Sequence, residues 1–461
     1  MEIDKPYRFV ALTASREELL NLYIKLYEEF QKIKKENEQL RERLKIPPKV
    51  RQKQEEKKAS GRCKPPQEWG RKQGHPGVTR SKPVVIDREI ERTLKACPSC
   101  HHRVSRSQDV IEHIQEDIVP SRVIVTRYRR HRYFCRHCDH LIEAPYAPDE
   151  IPHGHIGPRA LITMAILKYH HGLPGNKIKE VFQGLSGLKI SEGAISQALG
   201  RLSGWLKTET GHILEMIRES SHLHMDETGW KVNGKSHWLW AAVNDKLAYY
   251  TIDRSRGSKV AKDILGEAFK GTLITDFYSA YNKLSAKQQK CLVHLLREMR
   301  ELKARDAPKD YLLPHRKLKR LIADALRLNV SREKLNPLVF LKRRIRLDER
   351  LIDFACAVYS NKNWQRLSKR ILKHHKAILA FLDTPGLPSN NNQAERAIRP
   401  HVIIRNRSYQ SRTQKGADTH ATLTSLLHTL ELQQRNPLEE LQKAYIHHRQ
   451  GNEKTILFAR A

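Results

Sequence analysis

One stretch, His222 to Asp276, limits the possible folds more than any other part of the chain. His222 to Trp230 reads as a strand, and strand-like Ser236–Val243 and Leu247–Ile252 follow it. A helical pattern over Ser258–Phe269 then leads into a fourth strand, Gly271–Asp276. Three successive strands, a crossover helix and a returning strand describe an α/β sheet. Side chains alternate along a strand, so His224, Asp226 and Thr228 share one face of the first strand. Met225, Glu227 and Gly229 share the other. Spacing alone lets either Asp226 or Glu227 face a site. Asp276 ends the fourth strand, just before Phe277-Tyr278, a usual place for a ligand at a strand's carboxyl end.

This order of elements is the opening of an RNase H-like fold, in which the first and fourth strands are central neighbours. A carboxylate on each would meet across the sheet. A third acid stands far downstream in Pro388-Ser-Asn-Asn-Asn-Gln-Ala-Glu-Arg-Ala-Ile-Arg-Pro400. Ser389 or Asn390 can cap a short helix there, and Pro400 is expected to stop it. Asn391, Glu395 and Arg399 fall on one face of that helix at i, i+4 and i+8. In-line displacement at a DNA phosphodiester calls for two divalent ions about 3.5–4 Å apart, one at the attacking oxygen and one at the leaving oxygen. Mg²⁺ keeps several waters and takes few protein carboxylates, so three acids suffice, with Mn²⁺ as a substitute.

Charge points to the same kind of substrate. Lys and Arg number 85 against 51 Asp and Glu, a formal net charge of +34, which suits a polyanion whose counterions are released on binding. Residues 41–83 hold 14 Lys or Arg and 4 Asp or Glu among Gly and Pro, the composition of a basic disordered arm (49–83). Before it, Leu19, Leu26, Ile33 and Leu40 alternate with Tyr23, Phe30, Asn37 and Leu44 in heptads. That predicts a coiled coil within residues 1–48 that dimerises the chain, with Asn37 fixing the register. No apolar run reaches the ~18 residues of a membrane span and no signal-peptide core is present, so a cytoplasmic, nucleoid-associated protein with reduced thiols is expected.

Under reducing conditions paired cysteines are metal ligands. Cys97-x-x-Cys100 and Cys135-x-x-Cys138 each offer two thiolates to one tetrahedral, structural Zn²⁺, defining a β-rich zinc-binding module over 84–150. Arg122 to Tyr128 alternates as a strand within it. Arg127, Arg129, Arg130 and Arg132, interleaved with Tyr128 and Tyr133, form a surface suited to a DNA backbone. Residues 151–215 read as a helical, helix-turn-helix-like DNA-binding segment, with Ser191 as N-cap of its second helix. A catalytic core over 216–415 would carry an all-α insertion at about 295–383, basic at Lys342 to Arg346, before a C-terminal helical segment, 416–461.

Three motifs together resemble one family. Asp226-Glu-Thr-Gly-Trp, Thr275-Asp-Phe-Tyr-Ser-Ala-Tyr281 and Asn390-Asn-Asn-Gln-Ala-Glu-Arg-Ala-Ile-Arg-Pro400 are similar to those of transposases of the insertion sequence 66 family, as are Gly74-His-Pro-Gly77 and the zinc module. The resemblance implies a DNA transposase that binds element ends, cleaves strands and transfers them through a DDE triad of Asp226, Asp276 and Glu395. It selects Asp226 over Glu227, places Asn391, Arg396 and Arg399 beside the triad, and implies accessory transposition proteins as partners. Cys291-x-x-His294 sits where many DDE transposases carry such a pair, and two ligands alone imply structural support rather than zinc binding. A catalytically inactive DNA-binding regulator and an RNase H-like nuclease are the competing readings; a strand-transfer assay separates all three.

Overall fold

The computed structural model describes residues 85–90, 95–96, 98–103, 114–115, 122–152, 154–303, 308–408, 410–449 and 457–458. The expected coiled coil, the basic arm and Cys97 lie outside them. The chain divides into two units, Met1–Gln115 and Glu116–Ala461.

In the second unit, β1 (Arg132–Cys135) and β2 (His140–Glu143) form a hairpin, Cys135 pairing with His140. The segment before it, 122–131, pairs with no strand among the described residues, contrary to the alternation read from Arg122 to Tyr128. Val123, Ile124 and Val125 are all exposed, so no packed face rewards that alternation.

The four strands expected between His222 and Asp276 are present, β3 (His222–Val232), β4 (Lys235–Val243), β5 (Ala248–Asp253) and β6 (Thr272–Thr275), and a fifth, β7 (Lys287–Lys290), joins them in the order β5-β4-β3-β6-β7. β3, β4 and β5 form an antiparallel meander; β6 returns parallel to β3 and β7 parallel to β6. Asn233 and Gly234, both at positive φ, make the tight turn into β4.

Helices lie between the hairpin and the sheet in sequence: α1 (Pro158–Ala165), continued by a π-helical turn, α2 (Gly175–Ser186), α3 (Glu192–Trp205) and α4 (Lys207–Arg218). Left-handed Gly187 closes α2, and Ser191 caps α3 by accepting from the Ala194 N–H at 3.1 Å, as the sequence predicts. The crossover helix α5 (Ser258–Leu265) stops earlier than expected, because Gly266 takes φ +69°.

The insertion is all-helical: α6 (Leu292–Lys303), α7 (Pro308–Val330), α8 (Pro337–Cys356) and α9 (Lys362–Ile378) close a core of their own around Leu318, Leu351, Trp364 and Phe381. Its basic cluster inverts the simple expectation. Ile345 is exposed, while Arg344 is buried against Asp348 and Asp383.

Three helices complete the unit: α10 (Asn392–Ser408), α11 (Gln414–Leu432) and α12 (Pro437–Arg449). The expectation that Pro400 ends α10 is wrong. Proline in a helix leaves the Arg396 carbonyl without its N–H partner and costs about 3 kcal/mol. Apolar Ala397, Ile398 and Ile404 and buried His401 dock the following turns on the sheet and outweigh that cost. Both faces of β3 and β4 are covered in the sheet's centre. Leu223, Met225, Trp240 and Ala242 face α4 and α5; Trp230, Leu239, Ala241 and Val243 face α10 and α11.

Candidate functional site

Register puts Asp226 and Glu227 on opposite faces of the sheet. Asp226 pairs with Ala241, whose side chain lies in the core under α10, and Glu227 pairs with Trp240, on the opposite face. Glu227 is covered there, accepting from Tyr281 Oη at 2.6 Å and from Arg256 Nε at 3.0 Å. Asp226 shares its face with His224, which meets Asn391 at the start of α10: His224 Nδ1 lies 3.1 Å from Asn391 Oδ1, and Asn391 Nδ2 donates to the Met225 carbonyl at 2.8 Å. His224 stands opposite Ile274 in the parallel β3–β6 pair, so Asp226, within β3, and Asp276, just past the end of β6, each lie two residues beyond that paired position. Glu395 follows Asn391 by one turn, its N–H donating to the Asn391 carbonyl at 3.2 Å.

Charges in this cleft push against each other. Burial, followed by the negative charge of Glu227 and then of Asp276 and Glu395, raises Asp226 to about 7. Each aspartate has one oxygen anchored: Asp226 Oδ1 accepts the Glu227 N–H at 2.9 Å and Asp276 Oδ1 the Tyr278 N–H at 2.8 Å. Among the described residues neither makes an ion pair. Two anchored carboxylates with no ion pair among the described residues fit a divalent cation, which would add positive charge between them.

Glu395 points elsewhere. Its oxygens lie 3.5 Å from His294 Nε2 and 3.7 Å from an Arg297 amine nitrogen, and Oε1 is buried with no hydrogen-bond partner. Its cationic neighbour is therefore Arg297 from α6, which sequence reasoning missed. Arg396 and Arg399 are exposed and make no ion pair with it among the described residues. Arg396 instead lines a cavity of about 320 Å³ with Tyr250, His401 and His428. Cys291 and His294 come close to Glu395, the ligand atoms of all three within 4.8 Å of one another. Burial pushes the Cys291 thiol up, and N–H groups of Asn391, His294 and Val293 pull it back.

Lys290 was also missed. Wholly buried on β7, it donates to Thr275 Oγ1 and to the Asp276 carbonyl, both at 3.0 Å, and burial lowers it to about 8. One of two lysines in the polar stretch Lys287-Gln-Gln-Lys290, it gives no sign in sequence of that position.

Two turns elsewhere belong to the paired-cysteine motifs. After Cys100, His101 takes φ 60° and His102 Nδ1 meets the Cys100 carbonyl; after Cys138, Asp139 takes φ 52° and His140 Nδ1 meets the Cys138 carbonyl. Ala96 bridges Arg103 as Phe134 bridges Leu141, so both turns have the same register. Backbone N–H groups of Cys138 and His137 lower the Cys135 thiol, as a zinc knuckle requires. The neighbouring arginines are partly committed. Arg132 and Arg130 both pair with Glu143, Arg130 also stacking on Tyr146 at 3.7 Å, whereas Arg127 and Arg129 are exposed.

Residues 153–419 match the family model described as Transposase IS66 family. The chain belongs to this family. Residues 95–139 match the zinc-finger binding domain of transposase IS66, a span that holds all four paired cysteines. Relatives from Sinorhizobium fredii (strain NBRC 101917 / NGR234) extend the likeness to this IS66 transposase. The uncharacterized protein y4qI is 28% identical over 404 residues, covering 79% of this chain and 73% of its own. The uncharacterized protein y4jD is 24% identical over 382 residues, covering 76% and 73%. No helix among the described residues is long and apolar enough to cross a membrane.

Proposed function

We propose that this IS66 transposase binds the ends of an insertion sequence and, with Mg²⁺, cleaves and joins DNA strands through Asp226, Asp276 and Glu395. The observation that supports the reading is the pairing of β3 with β6, each with an aspartate two residues beyond the last paired position, joined to the Asn391 contact that ties the start of the Glu395 helix to the face of β3 that carries His224. The order β5-β4-β3-β6-β7, with a meander and two parallel returns, supports an RNase H-like core within 216–415.

Each residue has a task that its surroundings support. Asp226 and Asp276 keep one oxygen fixed and one free to hold a cation. Lys290 holds the Asp276 backbone from below. Bound Mg²⁺ would activate the attacking oxygen and stabilise the leaving one. Glu395 would turn from His294 and Arg297 to close the second side. The zinc module (84–150) and the helix pair within 151–215 would grip DNA, with Arg127 and Arg129 free for phosphates, and residues 1–48 would dimerise the chain.

Glu395→Gln tests the reading, since it keeps shape but removes charge. Binding of element ends should persist, while cleavage and strand transfer both fall by orders of magnitude. Asp226→Asn and Asp276→Asn should do the same, and Glu227→Gln should cost far less because Glu227 faces Tyr281. Cleavage by Glu395→Gln at the wild-type rate would remove it from the site. A wild type that hydrolyses without joining would be a nuclease, and one that only binds would be a regulator.

A further inference from the structure

We infer that Cys291, His294 and Glu395 form a separate site for a thiophilic divalent cation of the zinc class, and that this site competes with the aspartates for Glu395. The competition rests on the proposed role of Glu395; the metal site itself does not.

A sulfur, an imidazole nitrogen and a carboxylate oxygen lie within 4.8 Å of one another. With bonds of about 2.0–2.1 Å to nitrogen and oxygen, a tetrahedral zinc separates two such ligands by roughly 3.3 Å. His294 Nε2 and Glu395 Oε1 are 3.5 Å apart, so a cation fits between them with little movement. Mixed sulfur and nitrogen donors select zinc over Mg²⁺, which takes oxygen.

The three donors are held before any ion arrives. Cys291 is the N-cap of α6: its carbonyl accepts the first helical bond, from Leu295, and its own N–H extends the sheet by donating to Thr275 at 2.8 Å. That position aims the sulfur at the positive end of the helix, whose N–H groups offset part of the burial that disfavours a thiolate. His294 lies one turn along the same helix. From the other side, Asn391 N–H donates to Cys291 Sγ at 3.1 Å and Leu292 N–H donates to the Ser389 carbonyl at 3.0 Å. These bonds lock the start of α10, and with it Glu395, against the start of α6. Two polar atoms there are already dehydrated without a hydrogen-bond partner, His294 Nδ1 and Glu395 Oε1. Arg297 approaches the other carboxylate oxygen, Oε2, and leaves Oε1 for the ion. A fourth position stays open, as in zinc sites that take water or a substrate oxygen.

The two sites draw on the same carboxylate. A zinc-class cation on Cys291 and His294 keeps the carboxylate away from Asp226 and Asp276, so such a cation would silence the Mg²⁺ centre.

Cobalt titration of the metal-free full-length chain reads this directly, because a thiolate bound to Co²⁺ absorbs in the near ultraviolet. Wild type should take up one Co²⁺ at the four-cysteine module and a second at Cys291. Cys291→Ser should lose the second and keep the first. Glu395→Gln leaves the buried cysteine untouched, which guards against a misfolded Cys291→Ser. It should weaken the second Co²⁺ by at least the roughly 10–100-fold that loss of a mere supporting partner costs. Wild type saturating with the module's Co²⁺ alone would overturn the inference, as would a second Co²⁺ held equally tightly by Glu395→Gln. Cobalt uptake as expected in a chain where Glu395→Gln still cleaves DNA would sink the triad while leaving this site standing.

Discussion

At the scale of single residues, Asn391 decides how the site is assembled. Its side chain is completely buried, its amide donates to the Met225 carbonyl, its carbonyl meets His224, and its backbone N–H meets Cys291. Strand, helix and C-x-x-H turn therefore meet on one amide. Asn391→Leu leaves the Met225 carbonyl and His224 buried without partners, at about 1–3 kcal/mol each. Denaturant unfolding should show a loss of at least about 2 kcal/mol, and a cycle with His224→Phe should show strong coupling. Additive losses would mean the two residues do not act together. The sequence shows Asn391 as a polar residue one turn from Glu395; its burial depends on β3, far away in the chain, and only the fold reveals it. Asp226 was legible as one of two alternating choices, and pairing with β4 supplies the missing face. Arg297 was invisible because the helix that presents it begins at Cys291, where the only sequence signal is Cys-x-x-His.

At the scale of elements, α11 shows what periodicity could not. β5 is the edge of the sheet, and an unpaired edge strand is open to other chains. Ser425 and Thr429, one turn apart and fully buried, close that edge from the helix. Ser425 Oγ accepts the Tyr250 N–H at 2.8 Å, and Thr429 Oγ1 accepts the Ala248 N–H and donates to the Ala248 carbonyl, both at 3.1 Å. Two hydroxyls on an apolar helix face read in sequence as ordinary solvated positions. Replacing both with Val and Ala (Thr429→Val, Ser425→Ala) strands two N–H groups and a carbonyl, so a loss of about 2–4 kcal/mol is expected. Thermal melts test it; an unchanged melting temperature would mean that water reaches the edge. The elements most legible in sequence were those with strict alternation or a clear cap, β3, β4 and α3. The error at Pro400 came from weighing local geometry without the packing of Ile398 and Ile404.

At the scale of the whole unit, helices α10 and α11 are joined through histidines that the fold keeps uncharged. His401 Nδ1 lies 2.8 Å from His420 Nε2, both rings are buried, and His420 also packs on Trp230 and Tyr169. Burial pushes His420 down to about 3 and His401 well below its usual value. An unfolded histidine takes a proton near pH 6.5, whereas the folded pair refuses it until far lower pH. The unfolded state thus binds more protons between about pH 6.5 and 3, and stability falls as pH falls through that window. Each group contributes a slope of up to about 1.4 kcal/mol per pH unit once its unfolded form is fully protonated. Denaturant midpoints measured from pH 7.5 to 5 should therefore drop steeply below pH 6.5 in the wild type. Replacing both partners with leucine (His401→Leu with His420→Leu) removes the hydrogen bond and the proton sites together, so stability at pH 7.5 should change little. Release of zinc by acid acts equally on both proteins, so the difference in slope belongs to the histidines. Equal slopes in the two would show that the pair does not set the acid limit of this unit.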